Sequence, residues 1–184
     1  MSEQNLRITK AISILLMLAL LASPQVFGSS ISEYEVKAAF VYNFVKFVEF
    51  PSRAFTNGDS PMVIGVIGNN SFGDKIEQFA KGKTVNGRSL VVKRFGRVQD
   101  IATTCHVLFI SSSEIGNLSR IMDRLKGSSV LTVGETDGFT RRGGIIGFVV
   151  DNDKIGFEVN LGAARRANLK ISSKLLQLAK AINN

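Results

Sequence analysis

The side chains best equipped for chemistry are few. The sequence holds one cysteine and one histidine, and they are neighbours, Cys105 and His106. A thiol and an imidazole can make a nucleophile and its base, but Cys105 directly precedes the strand-like run His106–Ser111, and if both lie in that strand they point to opposite faces. The spacing therefore argues against a dyad and predicts a buried thiol packed as a small hydrophobe. One thiol and one imidazole also fall short of the three or four soft ligands that zinc requires, and there is no C-x-x-C spacing. Neither a catalytic residue, a metal site nor a cofactor is expected.

The carboxylates and glycine-rich loops give little more. Glu135 and Asp137 are a close acidic pair, yet they precede Gly138 and read as turn chemistry rather than acid/base catalysis. The stretch Gly65–Gly73 lies between a strand and a helix, where phosphate-binding loops occur, but matches neither G-x-G-x-x-G nor the P-loop pattern. It reads as a tight turn. If a small ligand binds, the carboxyl edge of an open parallel sheet is its expected place, near Asn69, Asn70 and Ser71. The most suggestive segment is Gly138–Gly144, in which Arg141 and Arg142 stand among glycines beside Phe139. It reads either as a solvated loop or as a mobile basic surface that anchors a partner through arginine and aromatic contacts.

The elements that must position these residues follow from periodicity. Ser29–Phe50 has a polar lead and then a helical pattern in which Val36, Phe40, Val41, Phe44, Val45, Phe47 and Val48 cover about half the circumference, and Pro51 ends it. Tyr34, Phe40, Phe44 and Phe47 on this helix are candidates for core packing or for dimer contacts. Strands are predicted at Met62–Ile67, Leu90–Phe95, His106–Ser111 and Val130–Val133. Helical segments are predicted at Phe72–Lys81, Val98–Thr103 and Ser113–Lys126, the last with Ser111 and Glu114 in capping-box spacing and Gly127 as its stop.

Alternating strands and helices imply parallel strands with crossovers, hence an α/β fold with a mostly parallel open sheet flanked by helices. Ile145–Val150 and Lys154–Asn160, separated by Asp151-Asn152-Asp153, predict a C-terminal antiparallel β-hairpin with one wet face. A short helical segment, Leu161–Leu169, precedes a final helix capped by Ser172 or Ser173, with Leu175, Leu178, Ala179 and Ile182 at helical spacing.

Residues 1–28 read as a secretory signal: Arg7 and Lys10 are followed by the apolar run Ala11–Ala22, and cleavage is expected after Gly28. The run is too short to cross the roughly 30 Å of bilayer hydrocarbon. Residues 29–184 then form a single domain. Loss of the segment removes Arg7, Lys10 and Glu3 and lowers the formal charge by one unit from +8. Export disfavours nucleic acid as a partner, and the basic residues lack aromatic residues interleaved as stacking platforms. The charge fits a solvated face or a dock for an acidic partner.

Several stretches together resemble the periplasmic YfiR/HmsC-like family. They are Glu33–Phe47 with Phe50-Pro51, Cys105–Ile110 followed by Ser112-Ser113-Glu114, and the closing pattern of Gly138-Phe139, Gly143–Ile146, Lys154–Leu161 and Leu169–Leu176. Their order spans nearly all of the mature chain. The resemblance implies a periplasmic regulator, not an enzyme, often a homodimer, that binds the periplasmic part of an inner-membrane diguanylate cyclase and holds down cyclic-di-GMP synthesis and with it biofilm formation. An outer-membrane lipoprotein sequesters the inhibitor in some such systems. Similar proteins carry disulfide-forming cysteine pairs, so the solitary Cys105 sets this chain apart, and their redox control does not carry over. The surface expected to meet the cyclase is Phe139, Arg141, Arg142 and Phe148. The competing expectation is a small-molecule sensor using the Asn69–Ser71 edge; a secreted hydrolase lacks candidate groups.

Overall fold

The computed structural model of the protein describes residues 32–102 and 104–184. The expected signal and its cleavage site after Gly28 lie outside the described residues. Helix α1 (Glu33–Phe47) begins where Ser32 closes a capping box. The Ser32 hydroxyl accepts the Glu35 N–H at 3.3 Å and the Glu35 carboxylate accepts the Ser32 N–H at 2.8 Å, which satisfies donors that a first turn cannot bond internally. Beyond Phe47 the chain is extended, and β1 (Val48–Glu49) pairs antiparallel with β9 (Lys170–Ile171).

Three apolar runs form the centre of the main sheet. β2 (Met62–Ile67), β5 (Val107–Ile110) and β6 (Leu131–Gly134) are buried at every position, as expected of parallel strands covered on both faces. β4 (Arg88–Phe95) pairs in parallel with β2, and β3 (Thr84–Val85) pairs antiparallel with β4. On the other flank β7 (Ile146–Asp151) is parallel to β6, β8 (Lys154–Asn160) is antiparallel to β7, and β10 (Ala181–Asn183) is parallel to β8. The 8-stranded order is β10-β8-β7-β6-β5-β2-β4-β3. The hairpin turns on Asn152 and Asp153, both with positive φ (49° and 59°), the geometry of a two-residue turn whose twist matches the strands.

Period-two alternation sends successive β2 residues into two separate cores. Met62, Ile64 and Val66 join one, with α1, Phe72 and Ile76 of α2 (Phe72–Ala80), and Leu175 of α5 (Ser173–Leu176). Val63 and Ile67 join the other, with Leu118 and Ile121 of α3 (Leu118–Arg124). Helices thus cover both faces, and the predicted α/β class holds.

Three local features differ from expectation. The predicted helix Ser113–Lys126 begins as a 3₁₀ segment, Ser112–Asn117, and is α-helical only from Leu118. Three residues per turn shift the register of the side chains, and Ile115, expected on the apolar side, is 52% exposed. The final helix is confined to Ser173–Leu176, after which the chain becomes β10. β8 would otherwise show an open edge; instead Lys180 N–H donates to the Phe157 carbonyl at 2.8 Å and strand pairing follows. The hairpin face expected to be wet is partly covered. Thr140, buried, donates its hydroxyl to Glu158 at 2.9 Å, and Asn160 donates to the Thr140 carbonyl at 2.8 Å.

Thr140 belongs to the connection between β6 and β7, which is neither mobile in design nor led by an exposed aromatic. Phe139 is 1% exposed and sits in the second core. A β-carbon at Gly134 or Gly144 would stand inside the envelope of its ring, so these two glycines are the space in which the ring packs. Backbone bonds from Arg142 N–H to the Gly138 carbonyl (3.0 Å) and from Gly144 N–H to the Phe139 carbonyl (3.0 Å) close the turn around it. Phe139→Ala should lower the unfolding free energy by about 3–5 kcal/mol in urea titrations, whereas Arg142→Ala on the exposed side of the same turn should change it by less than about 0.5 kcal/mol.

Candidate functional site

The densest polar cluster stands at the carboxyl edge of the sheet, where three parallel strands end side by side. β2 runs out toward Asn70, β5 toward Ser112 and β6 directly into Glu135, while the first turns of α1 lie over them and supply Tyr34 and Lys37. Lys37 and Glu135, 4% and 6% exposed at their side chains, form an ion pair at 2.6 Å. The carboxylate also accepts from Asn70 Nδ2 at 3.1 Å, Ser112 N–H at 3.2 Å, Ser112 Oγ at 3.4 Å and Tyr34 OH at 3.5 Å. Lys37 reaches Glu33 as well, at 2.5 Å, and its ammonium lies 5.0 Å from the Tyr34 ring centroid.

The electrostatics follow from this geometry. Burial alone would pull the Lys37 pKa down, but the hydrogen bonds and charges of Glu135 and Glu33 outweigh it and hold the ammonium above its ordinary value. Burial, with the charge of Glu135 next, raises the Tyr34 phenol. The partners of this carboxylate are donors, not nucleophiles. The cluster is suited to fixing α1 onto the strand ends, a structural task.

Sequence reasoning placed Glu135 in turn chemistry and overlooked Lys37, Tyr34 and Ser112 as its partners. The signal for Lys37 was present: it stands four residues before Val41 and seven before Phe44, on the stripe that faces the core, where a cation requires a buried counter-charge. The Asn69–Ser71 edge is largely committed to local structure. Asn70 holds Glu135 and accepts the Phe72 N–H at 3.0 Å, Asn69 N–H donates to Ser113 Oγ at 2.9 Å, and the Ser71 carbonyl accepts from Lys75 at 3.2 Å.

Of the residues expected to meet a partner, the structure keeps two on the surface. Arg141 and Arg142 are exposed, but Phe139 and Phe148 are buried, Phe148 at 5% exposure. Phe148 packs edge-on against Phe40 and tilted against Phe44, with ring centroids at 6.0 and 5.8 Å. The expectation of two aromatic contacts therefore fails, because strand alternation and the glycine-lined space turn both rings inward. In α1, Phe44 is fully buried, and Tyr34, Phe40 and Phe47 are half-buried against the same core.

Cys105 and His106 both precede β5; Cys105 packs in the second core, while the His106 ring turns to the segment after Pro51. Burial pushes the Cys105 thiol up to about 12, which leaves it a thiol at neutral pH. The His106 ring takes a defined tautomer: Nδ1 accepts the Val63 N–H at 3.1 Å, so Nε2 carries the proton and donates to the Ala54 carbonyl at 3.0 Å. Phe55 stacks on it at 4.4 Å. The ring ties the segment after Pro51 to the sheet. Among the described residues no group of three or more His, Cys, Asp or Glu side chains could hold a metal ion, and no helix is long and apolar enough to cross a membrane.

Fold and clusters define an α/β domain whose polar residues are arranged to hold its layers together. Its sequence matches the YfiR/HmsC-like family model over residues 34–180, and the chain belongs to that family, whose members are periplasmic regulators. Among solved structures, a conserved domain protein from Vibrio cholerae O1 biovar El Tor is similar at a TM-score of 0.59 and 14% identity, covering 84% of this chain. The aligned region spans 62% of that protein's length. The likeness is one of fold. The ABC domain in complex with L-Trp from Streptococcus pneumoniae aligns over 65% of this chain and 54% of its own, at 12% identity and a TM-score of 0.46. No curated protein matches the sequence.

Burial, and next the Ala54 bond that only partly opposes it, leave the His106 pKa below its ordinary 6.5. The unfolded chain then binds the proton more readily, so stability contributed by neutral His106 is complete above about pH 6.5 and declines as pH falls below it. Arg88 is the charged group nearest in effect and acts in the same direction. Thermal melts between pH 7 and pH 5 should show a falling Tm, and His106→Gln should flatten that slope while lowering Tm at pH 7.

Proposed function

We propose that this chain is a periplasmic inhibitory protein that binds the periplasmic portion of an inner-membrane diguanylate cyclase and represses cyclic-di-GMP synthesis, and with it biofilm formation. The observation that carries the reading is the family match across residues 34–180. In this reading residues 1–28 are removed at export, residues 29–184 are the single functional domain, and no catalysis is involved. A homodimer is the working form, an outer-membrane lipoprotein is the second partner, and nucleic acid is not a ligand.

Physical argument supports it. An inhibitor needs a surface that prefers one conformation of its target, since equal affinity for both would shift nothing. A rigid surface does this at lower entropic cost than a mobile one. Arg141 and Arg142 are exposed on a turn that is closed by backbone bonds and anchored by the Phe139 ring beneath it. Two guanidinium groups held this way suit an acidic patch on a partner. Phe139 and Phe148 act from below, by holding the turn and the hairpin.

Charge reversal of both arginines (R141E/R142E) should raise cellular cyclic-di-GMP toward the level of a strain lacking the protein. It should also weaken capture of the cyclase from solubilised membranes by at least about tenfold, or 1.4 kcal/mol, with the urea midpoint unchanged. Unchanged cyclic-di-GMP and capture would remove these residues from the interface.

A further inference from the structure

We propose that the groove between α3 and α4 (Leu161–Arg166) binds a small amphipathic carboxylate, an apolar body with one anionic head. The groove has a volume of about 460 Å³, within the range of small-molecule sites. Its floor is made by Leu125, Val130, Ile145 and Ala163, none more than 7% exposed. Leu125 and Val130 belong to one core and Ile145 and Ala163 to the other, so the groove is the seam where the two cores meet the surface, at the amino ends of β6 and β7. This is the end of the sheet opposite the Glu135 cluster.

The charge at its mouth selects the ligand. Lys126 and Arg166 line the groove and no carboxylate does. Lys126 is paired with Asp123 at 2.7 Å, both side chains being well exposed. Arg166 takes part in no ion pair among the described residues. The buried Thr132 hydroxyl, which also lines the groove, already accepts the Ile145 N–H at 3.0 Å. An uncharged apolar molecule would fill the floor and leave the guanidinium without a counter-charge. A polyanion would match the mouth and not the floor. A monocarboxylate with an apolar tail satisfies both, and the planar fork of arginine fits a carboxylate.

Gly143 also lines the groove and directly follows Arg141 and Arg142, so an occupied groove abuts the turn proposed to face the cyclase. Binding itself does not depend on that reading, and its failure would leave the cyclase reading standing.

The test is calorimetric titration of the purified protein with decanoate below its micellar concentration, and with decanol as the uncharged counterpart. Decanoate should bind saturably at one per chain and at least about fivefold more tightly than decanol. The charge-reversed variant K126E/R166E should bind it at least about tenfold more weakly, a change of 1.4 kcal/mol. Ala167→Phe, which fills the groove from its half-buried wall, should abolish binding with the circular dichroism spectrum unchanged. If that variant fails to fold, K126E/R166E decides, because its two positions are exposed. No saturable binding, equal affinity for decanol, or undiminished affinity in the charge-reversed variant would each overturn the proposal.

Discussion

The arrangement of this domain turns on one buried ion pair. Four elements that are far apart in sequence meet at the Glu135 carboxylate: the first turns of α1 and the ends of β2, β5 and β6. A buried charge is costly unless it is both paired and hydrogen-bonded, and this one is both. Lys37 neutralises it, while Asn70, Ser112 and Tyr34 complete its shell. The interaction therefore fixes position more than it adds raw stability. Apolar burial would let α1 slide along the sheet, since Phe40, Phe44 and their neighbours could exchange one hollow for the next. The Lys37 bond to Glu135 admits one register.

With α1 fixed, the rest of that face follows. Phe44 meets Phe157 at 4.9 Å and Phe148 at 5.8 Å, so the helix reports its position to the hairpin. The hairpin in turn holds Thr140 through Glu158 and Asn160, and Thr140 lies in the turn that carries Arg141 and Arg142. A continuous chain of packed rings and hydrogen bonds thus runs from the strand ends to the basic turn. For a member of a family of periplasmic regulators, this continuity couples the position of α1 to that of the basic turn.

Much of this was legible in the residues. β2, β5 and β6 are short apolar runs bounded by turns, and only doubly covered strands tolerate such composition. Asn152-Asp153 between two alternating runs gave the hairpin, because these residues accept positive φ. The tail was harder. Leu175, Leu178, Ala179 and Ile182 have helical spacing, yet the demand of β8 for a partner along its edge overrides local periodicity, and no local pattern contains that demand. Phe139 misled for a similar reason. Glycines and arginines around it suggest an exposed loop, whereas Gly134 and Gly144 are there to admit the ring. The Glu135 cluster was the least legible, since its members are spread from residue 34 to residue 135 and only the parallel topology gathers them.

A double-mutant cycle on Lys37→Met and Glu135→Gln, read by urea unfolding, tests the central interaction most directly. Lys37→Met leaves the Glu135 charge without its buried cation and should cost about 3–5 kcal/mol; Glu135→Gln leaves Lys37 with the more exposed Glu33 as its counter-ion and should cost less, while the double variant should cost clearly less than the sum, with a coupling of about 2 kcal/mol or more. Exposed pairs couple by no more than about 1 kcal/mol. Additive effects, or a coupling within that exposed range, would contradict the view that this pair holds α1 in register.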